Sequence, residues 1–119
     1  MPDFPKPSSE MLARMKAALP PEATPKPMFG QVAFFVNGNM AGGSWGESIM
    51  VRLTPEDRLD AEDQGAGPFD PMGGKPMAEY RLLPAKLVAD AEGMKTWVTR
   101  AVLATKRLAP KAPKAPKKK

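Results

Sequence analysis

Gln31-Val32-Ala33-Phe34-Phe35-Val36-Asn37-Gly38-Asn39-Met40-Ala41-Gly42-Gly43 is the stretch that commits the chain to a sheet. Gln31 to Val36 is rich in β-branched and aromatic residues and places apolar groups on both faces, as a strand in the interior of a sheet does. Asn37-Gly38 supplies the two residue types that best tolerate positive φ. A two-residue hairpin loop needs that conformation if its twist is to match the strands it joins. The returning strand is predicted over 39–43. Gly42-Gly43-Ser44-Trp45-Gly46 then reads as a bulge followed by a turn at Ser44-Trp45-Gly46, because a phosphate cradle would need a lysine, a hydroxyl residue and a helix behind it. Ile49, Val51 and Leu53 alternate with Ser48, Met50 and Arg52, which predicts a third strand.

Helices flank this hairpin. Ser8 is placed to cap a helix with Glu10 in its first turn, and Met11, Leu12, Met15, Ala18 and Leu19 recur at helical spacing. Pro20-Pro21 ends it, and residues 20–27, with four prolines, read as a connector. Thr54-Pro55-Glu56-Asp57 is a helix start, with a capping hydroxyl, proline at the first helical position and then acids. That helix is short and ends near Gly65. Asp90 opens a last helix whose apolar stripe is Met94, Trp97, Val98, Ala101, Val102 and Leu108.

Between them lies Gly65-Ala66-Gly67-Pro68-Phe69-Asp70-Pro71-Met72-Gly73-Gly74-Lys75-Pro76-Met77-Ala78-Glu79-Tyr80: two proline-bounded turns, a double glycine and a strand-like run predicted over Met77 to Leu83. Phe69 sits in a brief extended piece. Taken with Met28-Phe29-Gly30 and Phe35-Val36-Asn37-Gly38-Asn39-Met40, this segment resembles the TfoX N-terminal domain family, also called Sxy-like, from about Met28 to about Leu108. Lys75 stands where the family often has arginine, which keeps the charge but not the planar fork. Tyr80 stands where an aromatic, frequently tryptophan, is usual. The residue reading gives an α+β fold in two layers, in the order helix, three strands, helix, two strands, helix, with the helices on one face of a largely antiparallel sheet. The resemblance implies the same order, in the arrangement also seen in secretion chaperones. Residues 1–7 are expected to be a loose N-terminus, 8–108 the domain and 109–119 a disordered Lys/Pro/Ala tail. The chain is thus expected to be a stand-alone member, since family proteins typically add a helical C-terminal domain.

The 119 residues carry a net charge of +5, but the charge is unevenly spread. Eleven of the 18 basic residues and all 13 acidic ones precede Lys106, so that part of the chain carries −2. The candidate nucleic-acid contacts are therefore Lys106, Arg107, Lys111, Lys114, Lys117, Lys118 and Lys119. Proline at every third position keeps such a segment extended, and without aromatics it would hold phosphates by charge alone. No apolar run reaches a membrane span, no signal segment is apparent, and the cytoplasm is the expected compartment.

With no histidine and no cysteine, the commonest general base, metal ligand and nucleophile are all missing. Glu56, Asp57, Asp60, Glu62 and Asp63 read as a solvated helix face. No catalytic, cofactor-binding or metal-binding residue is expected, and no cofactor. Met50, Met77 and Met94 are expected to fill core gaps, whereas Met28, Met40 and Met72, beside turns, and Lys75, at a strand start, are the candidate partner or ligand contacts. The resemblance implies a small non-enzymatic regulatory or adaptor protein, since proteins of the TfoX type act in competence gene control alongside a DNA-bound activator. The alternative is a nucleic-acid-associated accessory protein binding non-specifically through its basic tail. The expected partners are a protein and non-specific nucleic acid, with no membrane.

Overall fold

The computed structural model describes residues 6–28, 30–70, 74 and 77–108, and of Met28 the backbone only. Helix α1 (Ser9–Ala18) leads into four strands, β1 (Thr24–Met28), β2 (Gln31–Val36), β3 (Asn39–Trp45) and β4 (Ser48–Arg52). Helix α2 (Pro55–Asp63), strands β5 (Gly67–Pro68) and β6 (Tyr80–Leu82), a 3₁₀ turn (Ala85–Val88) and helix α3 (Ala91–Lys106) follow. The strands form one antiparallel sheet in the order β1-β2-β3-β4-β6-β5. The fold is α+β, as the sequence predicts, with a fourth strand ahead of α2 where three are expected.

The extra strand is β1, which begins inside the segment read as a connector and ends one residue past it. Pro25 and Pro27 lie opposite Phe34 and Val32, and Thr24, Lys26 and Met28 lie opposite Phe35, Ala33 and Gln31. Proline has no N–H, so the ladder to β2 must be made by the alternate residues Thr24, Lys26 and Met28. The spacing of two puts both proline nitrogens on the outer side, where an edge strand tolerates them.

At the first hairpin Asn37 has φ 53° and Gly38 φ 83°, the two left-handed residues of the predicted loop. A bulge follows, since the β2–β3 register shifts between Phe34 and Phe35. The next turn falls later than expected. Ser44 and Trp45 belong to β3, pairing with Ile49 and Ser48, and Gly46-Glu47 makes the loop with Gly46 at φ 62°. The strand predicted over Met77 to Leu83 contracts to Tyr80–Leu82, because Met77 accepts from the Tyr80 N–H in a turn at 3.0 Å. Leu108, counted in the stripe of the last helix, lies beyond its end.

The helix caps are those the sequence announces. The Ser8 side chain accepts from the Met11 N–H, Thr54 from Asp57 and Asp90 from Gly93. Met11 and Met15 of α1, Ala61 of α2, and Met94, Trp97, Val98, Ala101 and Val102 of α3 share one core with Phe34, Val36, Ala41, Ile49, Val51 and Leu53 of the sheet side. That core occupies one face of the sheet, and all three helices contribute to it.

Candidate interaction surface

Strand alternation sends the partners of those core residues to the opposite face. There Met50, Phe69 and Tyr80 form a second cluster, with Met40, Trp45, Met77 and Leu82 packed against it and no helix residue among them. The Phe69 and Trp45 rings meet edge to face, with centroids 5.1 Å apart and an interplanar angle of 87°. Phe35 is opposite Met40 on the same face, and Lys26 Nζ lies 5.4 Å from its ring centroid.

A polar network pins one end of this face. The Tyr80 hydroxyl donates to the Met40 carbonyl at 2.7 Å, and Arg52 Nε donates to the same oxygen at 3.1 Å. Arg52 Nη2 donates to the Tyr80 oxygen at 2.6 Å, and its Nη1 pairs with Glu79. Burial is the main cause that pushes the Tyr80 phenol above its ordinary pKa, with Arg52 opposing it. The network joins β3, β4 and β6 and fixes the backbone beside Met40.

The sequence-derived candidates separate. Met40 is half-buried on this face. Met28 contributes its backbone to β1, and Met72, Lys75, Lys111, Lys114, Lys117, Lys118 and Lys119 lie outside the described residues. Lys106 Nζ donates to Glu22 at 3.2 Å, and a backbone hydrogen bond first, then this one, holds that carboxyl below its ordinary range. Arg107 lines a depression of about 410 Å³ with Thr54, Asp57, Arg100, Leu103 and Ala104. Met50 and Met94 are buried as expected, but in different cores, and Met77 is only half-buried. Trp45, Tyr80 and Arg52 were not candidates from sequence. The readable signal was the alternation of Met50 and Arg52 against Ile49 and Val51, which puts an apolar residue on the face away from the helices.

Two buried hydroxyls of the sheet, those of Ser44 and Ser48, are committed to hydrogen bonds. Ser44 Oγ accepts from the Val32 N–H and donates to Gln31 Oε1, both at 2.9 Å, and Ser48 Oγ donates to the Leu83 carbonyl. Among the described residues no group of three or more acidic, histidine or cysteine side chains is arranged to hold a metal. Nor is any helix there long and apolar enough to cross a membrane.

The TfoX N-terminal domain family matches residues 15–105, most of the chain and all of the sheet. The chain belongs to that family. No curated protein matches it. In this TfoX N-terminal domain, then, the family match spans the helix-free face between Phe35 and Leu82 and the buried residues of both cores except Met11.

Proposed function

We propose that this TfoX N-terminal domain is a non-enzymatic regulatory adaptor of the competence-regulator kind, acting in the cytoplasm by docking a protein partner on the helix-free face of its sheet. The observation that carries the reading is the chemistry of that face. An antiparallel sheet facing water alternates apolar inside with polar outside, whereas here Phe35, Met40 and Trp45 remain half-exposed on the outer face. The engaged Ser44 and Ser48 hydroxyls support a role without catalysis. Prolines on both edge strands, Pro25 and Pro27 on β1 and Pro68 on β5, favour docking on a face over strand addition at an edge.

The test is cross-linking in the native cell with Met40→Lys and, as control, Leu103→Lys, an exposed helix residue away from the sheet face. A transcription-associated protein captured by the parent and the control but lost by Met40→Lys is the expected result. Equal capture by all three would remove the face from the account. The charge partition favours a second reading for the segment from Lys106 onward, non-specific attraction to nucleic acid, which is tested separately below.

A further inference from the structure

On the helix side of the sheet, away from the surface just described, α2 and the β5–β6 edge enclose an open depression of about 570 Å³. It is lined by Arg58, Glu62, Ala66, Gly67, Pro68, Ala78 and Arg81. Two guanidinium groups hang here on one backbone oxygen: Arg58 Nη1 and Arg81 Nη1 both donate to the Ala78 carbonyl, at 3.4 and 2.9 Å. Arg58 is further fixed through Nε to the Leu53 carbonyl at 3.1 Å, and Arg81 through Nη1 to the Tyr80 carbonyl at 2.7 Å. Glu62 accepts from Arg81 Nε at 2.6 Å.

The charges do not balance. Glu62 neutralises one cation, and Arg58 has no carboxylate partner among the described residues. Two half-buried cations held side by side repel each other, and the charges of the lining residues sum to +1. The Nη2 groups of both arginines make no hydrogen bond among the described residues and are held by anchored, planar forks. That geometry suits an oxyanion, and the order of the forks reduces the entropy lost on binding it.

We propose that the Arg58–Arg81 depression binds a carboxylate. A net charge of +1 matches a monoanion, and the Glu62 carboxylate at the rim opposes the second charge of a phosphate dianion. The small apolar lining of Ala66, Pro68 and Ala78 accommodates a short aliphatic stem behind the carboxylate. The carboxylate has two sources, a free small acid or an acidic side chain of a peptide.

The test is a titration of the ¹⁵N-labelled full chain followed at the Ala66, Gly67 and Ala78 amides and the arginine Nε–H groups. The probes are butyrate, a blocked peptide with a single glutamate among glycines, and inorganic phosphate. Saturable shifts with butyrate or the peptide at millimolar concentration support the site, and whichever of the two binds more tightly names the source. Arg58→Gln should weaken carboxylate binding at least fivefold. Glu62→Gln should strengthen it severalfold by freeing Arg81 Nε, a gain that a damaged fold would not produce. Phosphate binding more tightly than both carboxylates, no saturable shift with any probe, or no gain in Glu62→Gln would each overturn the proposal.

Discussion

Arg52 lies over the Tyr80 ring, 4.8 Å from its centroid, and also donates to the Tyr80 hydroxyl at 2.6 Å. The same phenol donates to Met40, whose own side chain packs on the second cluster, so one ring joins strands that are not neighbours in the sequence. The guanidinium is 17% exposed, yet its charge is not abandoned, because Glu79 meets it at the rim. The helix-free face is therefore pinned where Arg52 and Tyr80 hold the Met40 carbonyl.

Tyr80→Phe keeps the ring and removes the hydroxyl, leaving Arg52 Nη2 short of an acceptor and the Met40 carbonyl with Arg52 Nε as its remaining donor. The expected loss is about 1–3 kcal/mol, the usual penalty for stranding such groups, measured by urea unfolding. The parent should also show an alkaline limb that the variant lacks. A phenol with a raised pKa contributes stability that is fully present below the unfolded value of 10.0 and is lost as pH rises through the folded value. Parallel stability curves above pH 10 for the two proteins would contradict the burial argument.

Trp97 is 3% exposed in the helix-side core, with the Arg100 guanidinium 4.5 Å from its ring centroid. Trp97→Ala should cost about 3–5 kcal/mol, the range for emptying a buried aromatic site. Arg100→Ala should cost far less, since that side chain is a third exposed and its pairs with Asp57 and Asp60 are open to solvent. Calorimetric midpoints of the two variants check the order. A near-neutral Trp97→Ala would mean that α3 does not depend on this contact.

Much of this architecture is legible in the residues. The Asn37-Gly38 loop, the three helix caps and the apolar stripe of α3 are written in local chemistry that tertiary packing leaves unchanged. What escaped was decided by long-range pairing. A run with four prolines between 20 and 27 looks unstructured until β2 supplies a partner for Thr24, Lys26 and Met28. Trp45 reads as a turn residue until its pairing with Ser48 and its contact with Phe69 are known. The candidate surface was legible only at Met40, since the convergence of Arg52, Glu79 and Tyr80 depends on the adjacency of β4 and β6, across α2 and β5.

Asp60 should give the acid limb of the stability curve a readable component. Its carboxyl is held below its ordinary pKa first by the hydrogen bond from Arg100 and then by that from Gln64. A depressed carboxyl contributes stability that is present above the unfolded value, 3.8, and is lost as pH falls through the lower folded value. Asp60→Asn should therefore be less stable than the parent near neutrality, with the difference closing below pH 3.8. Thermal midpoints measured from pH 2 to 7 test this, and a difference independent of pH would assign the effect to something other than ionisation.

Pro25 and Pro27 turn both of their nitrogens outward, so at those two positions the outer edge of β1 offers carbonyls without N–H donors. Replacing both with threonine restores two donors to an edge strand that already holds its shape. Pro25→Thr/Pro27→Thr should self-associate with rising concentration, because an exposed edge with donors and acceptors is a template for another strand. Multi-angle light scattering over a concentration series is the measurement. A double variant as monodisperse as the parent would show that the prolines do not guard this edge.

Any affinity for DNA or RNA should reside in residues 106–119 and lack sequence preference. The chain before Lys106 carries −2, whereas seven basic residues follow from there to the end. Lys106 is already paired with Glu22, so six cations remain for phosphates. With each contact releasing about 0.9 of a counterion on duplex DNA, log K should fall against log salt with a slope no steeper than about −5. Ending the chain at Leu108 removes five lysines and should abolish most of the binding, since Lys106 and Arg107 alone remain, one of them paired. Undiminished, sequence-selective binding by the shortened chain would show that the folded surface reads nucleic acid, and would place the recognition where the charge argument says repulsion prevails.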